Sequence, residues 1–173
     1  MSAAGDGKPG DRARATVQVA ATPAVAFDLF TREIDAWWRR GSKFRASGRQ
    51  AGVLCFEGGV GGRLFETFTV DGQEQLVVVG TITAWEPPAR FVFDWRNRNF
   101  APHERTEVEV RFEAAGDGTR VTVEHRGWSA IRPDHPARHG LAASAFIASM
   151  GMWWGELLGA LRRHVAGVNP REM

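Results

Sequence analysis

The fold is decided between Gly61 and Trp128, where three segments follow one another: GGRLFETFTV at residues 61–70, WEPPARFVFDW at 85–95 and GTRVTVEHRGW at 118–128. Apolar residues recur at every second position in the last two segments, a pattern typical of strands with one buried face. Glycines or prolines at or near the start of each segment indicate turns. The three segments therefore predict antiparallel strands joined by short connections.

The same two-residue period continues over most of the chain after residue 50. It predicts strands near 52–57, 63–70, 75–85, 90–96, 106–114 and 120–128, after a first strand at 13–20. Asp71-Gly72 and Gly116-Asp117-Gly118 are typical hairpin turns. Thr22-Pro23 predicts the start of a short helix, and a second helical segment is expected at 32–38. This order of elements indicates an α+β fold with its helices on one face of a sheet.

A long C-terminal helix is predicted from His139 to Val165. Its large apolar side chains recur at steps of three and four residues, so they form one broad stripe along the helix. The stripe consists of Phe146, Met150, Trp153, Trp154, Leu157 and Leu161. We expect this stripe to face the sheet, where it can either fill a cavity or line one.

Together with this helix, three motifs resemble the activator-of-Hsp90-ATPase homologue branch of the START-like (SRPBCC) superfamily. They are Gly61-Gly62-Arg63 with Glu66, Trp85-Glu86-Pro87-Pro88, and the strand from Gly118-Thr119-Arg120 to His125-Arg126-Gly127-Trp128. The resemblance spans residues 16–165. It implies a helix-grip fold, in which a curved antiparallel sheet wraps around the C-terminal helix and two short helices follow the first strand. We expect a disordered lead-in at 1–13, a single START-like domain at 14–166 and a tail at 167–173.

The resemblance also implies a cavity between the C-terminal helix and the sheet. We expect side chains from the strand faces, the helix stripe and the motifs to line it. These are Trp38, Arg63, Phe65, Phe93, Trp95, His125, Met150, Trp153, Trp154 and Leu157. Of the pair Trp37-Trp38, one ring is expected to be buried and the other to lie at the cavity mouth.

Two of these residues leave alternatives open. His125 continues the apolar alternation of its strand, so it is either a core histidine held by a hydrogen bond or a polar group of the cavity. In the second case it would orient a ligand or act as an acid or base. Arg63 either pairs with an acidic neighbour or recognises an anionic ligand group through its planar guanidinium. Arg63 and Glu66 fall on opposite faces of a regular strand, so they predict no joint site.

Composition excludes several classes of protein. The chain has 173 residues and a formal net charge of +2, and no basic cluster with interleaved aromatic residues stands out, so no nucleic-acid interface is expected. No apolar run approaches the ~20 residues of a membrane span. Cys55 is the single cysteine, which rules out an intrachain disulfide. With no signal-peptide pattern at the N-terminus, we expect a cytoplasmic protein.

Motifs for metal, phosphate and nucleophilic chemistry are missing from the sequence. His135 and His139 are four residues apart, but Pro136 between them disfavours a regular helical ligand pair. The glycine-rich run at 58–62 lacks the Lys-Ser/Thr of a phosphate loop. No serine stands in a nucleophile elbow. We therefore predict no metal, no cofactor and no assigned catalytic residue.

Three functions remain in view. The first is binding of a small apolar or amphipathic molecule in the cavity, for which aromatic side chains with a few polar groups are suited. The second is a co-chaperone-like interaction module of the Hsp90-activator type, although the chain has no room for the additional N-terminal domain of the eukaryotic activator. The third is a cyclase- or hydrolase-like enzyme that uses the same cavity.

Glycines on the C-terminal helix raise the question of assembly. Gly151, Gly155 and Gly159 recur every four residues, roughly opposite the apolar stripe. Exposed glycine costs about 1 kcal/mol relative to alanine inside a helix. The glycines either reflect drift in a helix held by its buried side, or they allow another backbone to approach. That backbone would belong to this chain or to a second copy in a homodimer.

Overall fold

The computed structural model of the protein describes residues 11–96 and 100–168. Its strands form one antiparallel sheet in the order β1-β7-β6-β5-β4-β3-β2. They are β1 (Arg12–Val19), β2 (Gly52–Phe56), β3 (Arg63–Val70), β4 (Gln73–Glu86), β5 (Arg90–Trp95), β6 (Thr106–Ala115) and β7 (Gly118–Arg126). The helices are α1 (Pro23–Arg32), α2 (Ile34–Trp37), α3 (Ala143–Gly167) and two 3-10 turns at Trp128–Ala130 and Pro136–Arg138. The predicted α+β helix-grip fold is confirmed.

The first helix begins where the sequence predicts. The Thr22 hydroxyl accepts a hydrogen bond from the Val25 N–H at 3.3 Å, and Pro23 occupies the first turn. The last helix begins at Ala143 rather than near His139. His139 and Gly140 have φ values of 49° and 71°, and this left-handed backbone is incompatible with helix continuation. Residues before 143 are therefore free to form a loop against the sheet.

The sheet bends at β4, its longest strand. The pairing register shifts between Leu64 and Phe65 on β3, and again between Ile82 and Ala84 on β4. A Cβ on Gly80 would lie 1.7 Å from the Asp94 carbonyl oxygen, so only glycine permits this approach of β4 to β5. Such irregularities increase local twist and curvature. They turn β2–β4 away from the plane of the other strands.

The core lies between the curved sheet and the helices α1 and α3. Aromatic side chains of α1 pack edge-to-face on the sheet, with the rings of Phe27 and Phe30 at 5.6 and 5.3 Å from that of Phe91. From α3, Trp154 and Leu157 are fully buried, as the helix stripe predicts. A smaller cluster of Phe100, Trp128, Ile131 and Phe146 closes one end of the sheet.

The expected chain ends fall mostly outside the described residues. Of the lead-in predicted at 1–13, residues 1–10 are not described, whereas Arg12 and Ala13 belong to β1. Of the tail predicted at 167–173, residues 169–173 are not described, and Gly167 ends α3. Across 11–96 and 100–168, no helix combines the length and the apolar character that crossing a membrane requires.

Candidate functional site

A cavity of about 650 Å³ lies between the N-terminal half of α3 and the β2–β4 side of the sheet. Its apolar lining comes from Trp38, Phe44, Ala46, Leu54, Leu64, Val77, Val79, Trp95, Pro136, Phe146, Met150 and Trp153. Its polar lining comes from Ser42, Lys43, Arg45, Glu66, Arg96, His135, His139 and Ser149. The volume and the mixed lining are those of a small-molecule site, which typically measures about 300–1,000 Å³.

The position of the cavity follows from the way α3 lies on the sheet. The helix makes its most extensive contacts with β1, the edge strand farthest from β2 in the sheet order. A Cβ on Gly151 would lie 3.6 Å from the Arg14 carbonyl oxygen of β1, an ordinary van der Waals distance, so this face of the helix lies against the edge strand. The opposite side of α3, where Met150 and Trp153 are only half-buried, leaves a gap toward β3 and β4.

Three tryptophans form an aromatic wall at the centre of this gap. The Trp38 ring is stacked with Trp95 at 6.4 Å and meets Trp153 edge-to-face at 6.0 Å. The Trp38 Nε1–H donates to the Phe44 carbonyl at 3.0 Å, and the Trp153 Nε1–H donates to the Lys43 carbonyl at 2.9 Å. Both indole N–H groups are thus satisfied by the loop after α2. All three rings belong to the cavity lining, and Trp153 is the half-buried member of the wall.

A buried guanidinium holds this loop in place. Arg45 donates from Nη1 to Asp35 Oδ1 at 2.7 Å and to Glu66 Oε2 at 3.5 Å. Its Nη2 donates to the carbonyls of Asp35 and Trp38 at 3.1 and 2.8 Å, and its Nε to that of Arg39 at 3.2 Å. All five N–H groups of a guanidinium are therefore engaged. Although Arg45 lines the cavity, its donors are already used within the protein.

Glu66 is equally occupied. Its carboxylate accepts from the Ser47 N–H at 2.8 Å and from the Ser47 hydroxyl at 2.9 Å, besides Arg45. A Cβ on Gly52 would lie 2.7 Å from Glu66 Oε2, so a glycine is needed there for the carboxylate to reach the loop. Arg45 and Glu66 are at most 6% exposed. Together they form one rigid, internally neutralised wall of the cavity.

Asp35 completes this wall from α2. Burial would raise the pKa of Asp35, but hydrogen bonds from the Leu54 N–H and from Arg45, with the charges of Arg45 and Arg40, lower it overall. The carboxylate also caps the free edge of β2, because it accepts from the Leu54 N–H at 2.9 Å. Asp35 thereby joins the edge strand β2 to the loop, and Arg45 joins the loop to Glu66 of β3.

The structure brings four of the ten predicted lining residues together at the cavity: Trp38, Trp95, Met150 and Trp153. Trp37 and Trp38 are both buried, at 3% and 4% exposure, whereas the sequence led us to expect one ring at the mouth. The Trp37 Nε1–H donates to the Phe30 carbonyl at 3.0 Å, which fixes that ring in the core. Trp38 alone of the pair contacts the cavity.

Three further predicted residues fill the core instead of lining the cavity. Phe93, Trp154 and Leu157 are 1% exposed or less. All three belong to the main hydrophobic core, where they pack against other apolar side chains. The apolar stripe of α3 therefore has two parts. Its more deeply buried residues fill the core, and its N-terminal residues face the cavity.

Arg63 and Phe65 lie on the outer face of the sheet. Arg63 pairs with Glu57 at 2.7 Å and lies over the Phe65 ring at 4.9 Å. The hydrogen bond from Arg63 lowers the pKa of Glu57. Adjacent residues of a strand point to opposite faces, so Leu64 and Glu66 reach the cavity and their odd-numbered neighbours do not. Arg63 therefore pairs with an acidic neighbour, which is the first of the two roles that the sequence left open.

His125 is enclosed in the core rather than at the cavity. Its Nδ1 accepts a hydrogen bond from the Trp154 Nε1–H at 3.2 Å, so the proton resides on Nε2, which lies 2.7 Å from the Thr106 hydroxyl. Burial lowers the pKa of His125 to about 3. A neutral imidazole with both nitrogens occupied has no site for a ligand or a substrate proton. Its role in the structure is that of a core histidine.

Other residues reach the cavity that the sequence did not single out for it. His135 is 1% exposed and packs edge-on against Phe100, with 4.8 Å between ring centroids. His139 and Arg96 are exposed and line the same cavity. His135 and His139 come from a proline-containing loop. The sequence of this loop has no hydrophobic period, so it does not predict where the loop lies on the sheet. Among residues 11–96 and 100–168, no cluster of His, Cys, Asp or Glu is arranged to hold a metal ion.

Comparison with known proteins places this chain in a family. Solved structures that resemble the chain include an anthrahydroquino-γ-pyrone synthase, Txn09, at 31% identity and a TM-score of 0.54, covering 90% of this chain and 99% of the synthase. An HSP90 activator from Plasmodium falciparum matches at 16% identity and a TM-score of 0.60, covering 90% and 96%. The Aha1 dimer from Colwellia psychrerythraea matches at 15% identity and a TM-score of 0.58, covering 89% and 95%.

No curated protein matches the chain. The decisive match is to a family model and covers residues 20–150, from the end of β1 to the first third of α3. It includes the loop with Arg45, the strands that carry Glu66 and Trp95, and the histidine loop. The chain belongs to the family of activator of Hsp90 ATPase homolog 1-like proteins.

Proposed function

We propose that the protein binds a small apolar or amphipathic molecule in the cavity between α3 and β2–β4. The observation that carries this proposal is the cavity of about 650 Å³ beside the wall of Trp38, Trp95 and Trp153. A cavity of this volume that opens beside large flat rings is typical of a small-molecule site. We also propose that the protein is cytoplasmic, as its sequence predicts.

The rigidity of one wall supports binding to a preformed site. Arg45 and Glu66 use their polar atoms within the protein, so the wall they hold does not have to rearrange for a ligand to enter. A preformed cavity avoids the ordering cost that weakens binding to flexible surfaces. The ligand would pack its body on the aromatic wall and on Val77 and Val79 from β4.

A fluorescent titration with N-phenylnaphthylamine tests this function. Val79 faces the cavity and its neighbour Val78, 41% exposed, faces solvent on the same strand. We expect the wild type and Val78→Trp to bind the probe and Val79→Trp to bind at least about tenfold more weakly, because the new indole occupies the cavity. Equal binding by the two variants, with both folded by circular dichroism, would exclude the cavity as the binding site.

A second candidate is a cyclase-type enzyme that uses the same cavity. The synthase Txn09 is 31% identical to the chain and is covered almost completely. His135 supplies a buried imidazole on the cavity wall, and an imidazole can donate a proton to a departing hydroxyl group. These two observations favour this candidate over a hydrolase, for which the sequence contains no nucleophile-elbow motif.

The enzyme candidate can be tested with o-hydroxybenzoylacetone. In this molecule the phenolic oxygen adds to the distal ketone, forming a C–O bond and a cyclic hemiketal, which then loses water to give a methylchromone, a γ-pyrone. Catalysis would appear as faster chromone formation in the presence of protein. The rate should fall in His135→Gln and be retained in the exposed-residue control Arg162→Gln. A rate equal to that of buffer argues for binding without turnover of this class of substrate.

Chaperone contact and self-association are the remaining proposals. The family's description and the HSP90 activator from Plasmodium falciparum support a chaperone partner, and the Aha1 dimer supports a homodimer. Isothermal titration against Hsp90, with and without a cavity probe, measures chaperone binding and shows whether it depends on the cavity. Light scattering over a range of protein concentrations tests the second. A constant monomer mass at all concentrations would contradict it.

A further inference from the structure

The charged side chains of the cavity are mostly positive. Lys43, Arg45 and Arg96 are cationic and Glu66 is the anionic residue of the lining. Counting the histidines as neutral, three positive charges and one negative charge give a net lining charge of +2. A cation of this lining that has no anionic partner would attract an anion and disfavour a cation.

Two of the three cations are already compensated. Arg45 is paired with Glu66 and Asp35, and all its N–H groups donate within the protein. The Lys43 Nζ lies 2.6 Å from Glu156 Oε1, although Glu156 also receives Arg39 at 2.9 Å. One carboxylate therefore serves two cations there, and a small positive excess persists at that side of the cavity.

Arg96 is different from both. Its side chain donates from Nη2 to the Ala101 carbonyl at 3.0 Å, and among the described residues it has no carboxylate within ion-pair distance. Its backbone is fixed, since the Arg96 N–H donates to the Val79 carbonyl at 2.9 Å. A guanidinium with free donors is thereby held directly after Trp95 of the aromatic wall.

The described surroundings of Arg96, which lines the cavity, leave its charge uncompensated. The nearby carboxylate of Glu104 is turned to other partners: it accepts from the Ala101 N–H at 2.8 Å and pairs with Arg132 at 2.9 Å. Phe100, which precedes Ala101, packs against His135. The segment that receives the Arg96 side chain thus also contacts the histidine loop, so Arg96 and His135 flank the same end of the cavity.

We propose that the ligand of this cavity is an aromatic or apolar acid, whose anionic group is bound by Arg96 while its body lies on Trp38, Trp95 and Trp153. This inference rests on the proposed binding function and names the chemical class of its ligand. A guanidinium binds carboxylate, sulfonate or phenolate oxygens through parallel N–H donors. The aromatic wall next to it supplies the surface for a flat apolar body.

A matched pair of probes tests the inference. Anilinonaphthalene sulfonate and N-phenylnaphthylamine share one aromatic skeleton and differ by the sulfonate. We expect the anionic probe to bind the wild type about tenfold more tightly, the gain of one hydrogen-bonded ion pair. In Arg96→Gln that advantage, measured as the ratio of the two affinities, should disappear. Arg96→Lys should retain part of it, and the control Arg162→Gln, an exposed arginine of α3 outside the cavity lining, should retain all of it.

The outcomes separate this inference from the function on which it rests. If the neutral probe binds and is displaced in Val79→Trp, but the sulfonate gives no advantage or Arg96→Gln does not change it, the anionic class is wrong and the cavity still binds apolar molecules. If neither probe binds to the folded wild type, the binding function and this inference fail together. The advantage of the sulfonate should also shrink with added salt, because exposed charges are screened.

Discussion

His125 shows at the scale of one residue how burial decides chemistry. The imidazole lies in the core, its Nδ1 accepts from Trp154 and its Nε2 faces Thr106. Burial lowers its pKa to about 3, from an ordinary value near 6.5. The folded protein therefore keeps His125 neutral at pH values where the unfolded chain is protonated. From the sequence, the same residue was also compatible with the cavity, because the alternation shows which face of the sheet a side chain is on but not how deeply it is buried.

This burial predicts a pH-dependent stability. The contribution of neutral His125 is complete above about pH 6.5 and is lost as the pH falls toward about 3, at roughly 1.4 kcal/mol for each pH unit. Urea denaturation of the wild type between pH 7.5 and 5 should show this loss, whereas His125→Gln should start about 2 kcal/mol less stable and vary less with pH. Parallel curves for the two proteins would mean that His125 does not titrate on unfolding.

Two arginines test the difference between a buried and an exposed ion pair. Arg45 lies in the cavity wall with Asp35 and Glu66, and Arg63 lies on the outer face with Glu57. Arg45→Met leaves buried carboxylate oxygens uncompensated and should cost about 3–5 kcal/mol. Arg63→Met should cost less than about 1 kcal/mol, because solvent screens the exposed pair. Similar losses in chemical denaturation would contradict the role assigned to Arg45.

At the scale of elements, α3 fills the core with some of its side chains and lines the cavity with others. Leu157 is fully buried and Met150 is half-buried at the cavity. Leu157→Ala should cost about 2–5 kcal/mol in unfolding free energy, with probe affinity unchanged in the folded protein. Met150→Ala should cost less stability but weaken N-phenylnaphthylamine binding several-fold, since it removes a contact surface. The two variants should therefore separate stability from binding, and a parallel loss of both in each variant would refute the division of α3.

The glycines of α3 have different surroundings, which the sequence pattern did not distinguish. Gly151 faces the backbone of β1, whereas a Cβ on Gly155 would meet nothing within 4 Å. Gly155→Ala should therefore stabilise the chain by about 0.5–1 kcal/mol through helix propensity. If it instead destabilises the protein in a concentration-dependent way, this face packs against a second copy, as the homodimer proposal requires.

Strand and turn chemistry made most elements predictable from the sequence. Alternation gave β5–β7, and Asp71-Gly72 gave the hairpin between β3 and β4, where both residues adopt positive φ. The inward face of β3 was harder to assign because Leu64 and Phe65 are adjacent apolar residues. A shift of one residue exchanges the two faces of a strand, so the choice of Phe65 moved the expected site to the outer face.

Across the whole molecule, the fold was more predictable than the site. Helix-grip architecture follows from the pattern of elements and from the family motifs. The cavity lining also depends on loops, and Phe44, His135 and His139 come from segments without a regular period. Their approach to one cavity is set by long-range contacts such as Arg45 with Glu66 and Phe100 with His135. No local pattern in the sequence encodes those contacts.

The central claim concerns the place where an apolar molecule binds, and a crystal structure with N-phenylnaphthylamine tests it most directly. The outer face offers a competing surface, because Val53, Leu76 and Val78 are between 41% and 51% exposed. We predict electron density for the probe between α3 and β2–β4, in contact with Trp38, Trp95 and Trp153. Density on the outer face, with the cavity free of probe, would contradict the claim.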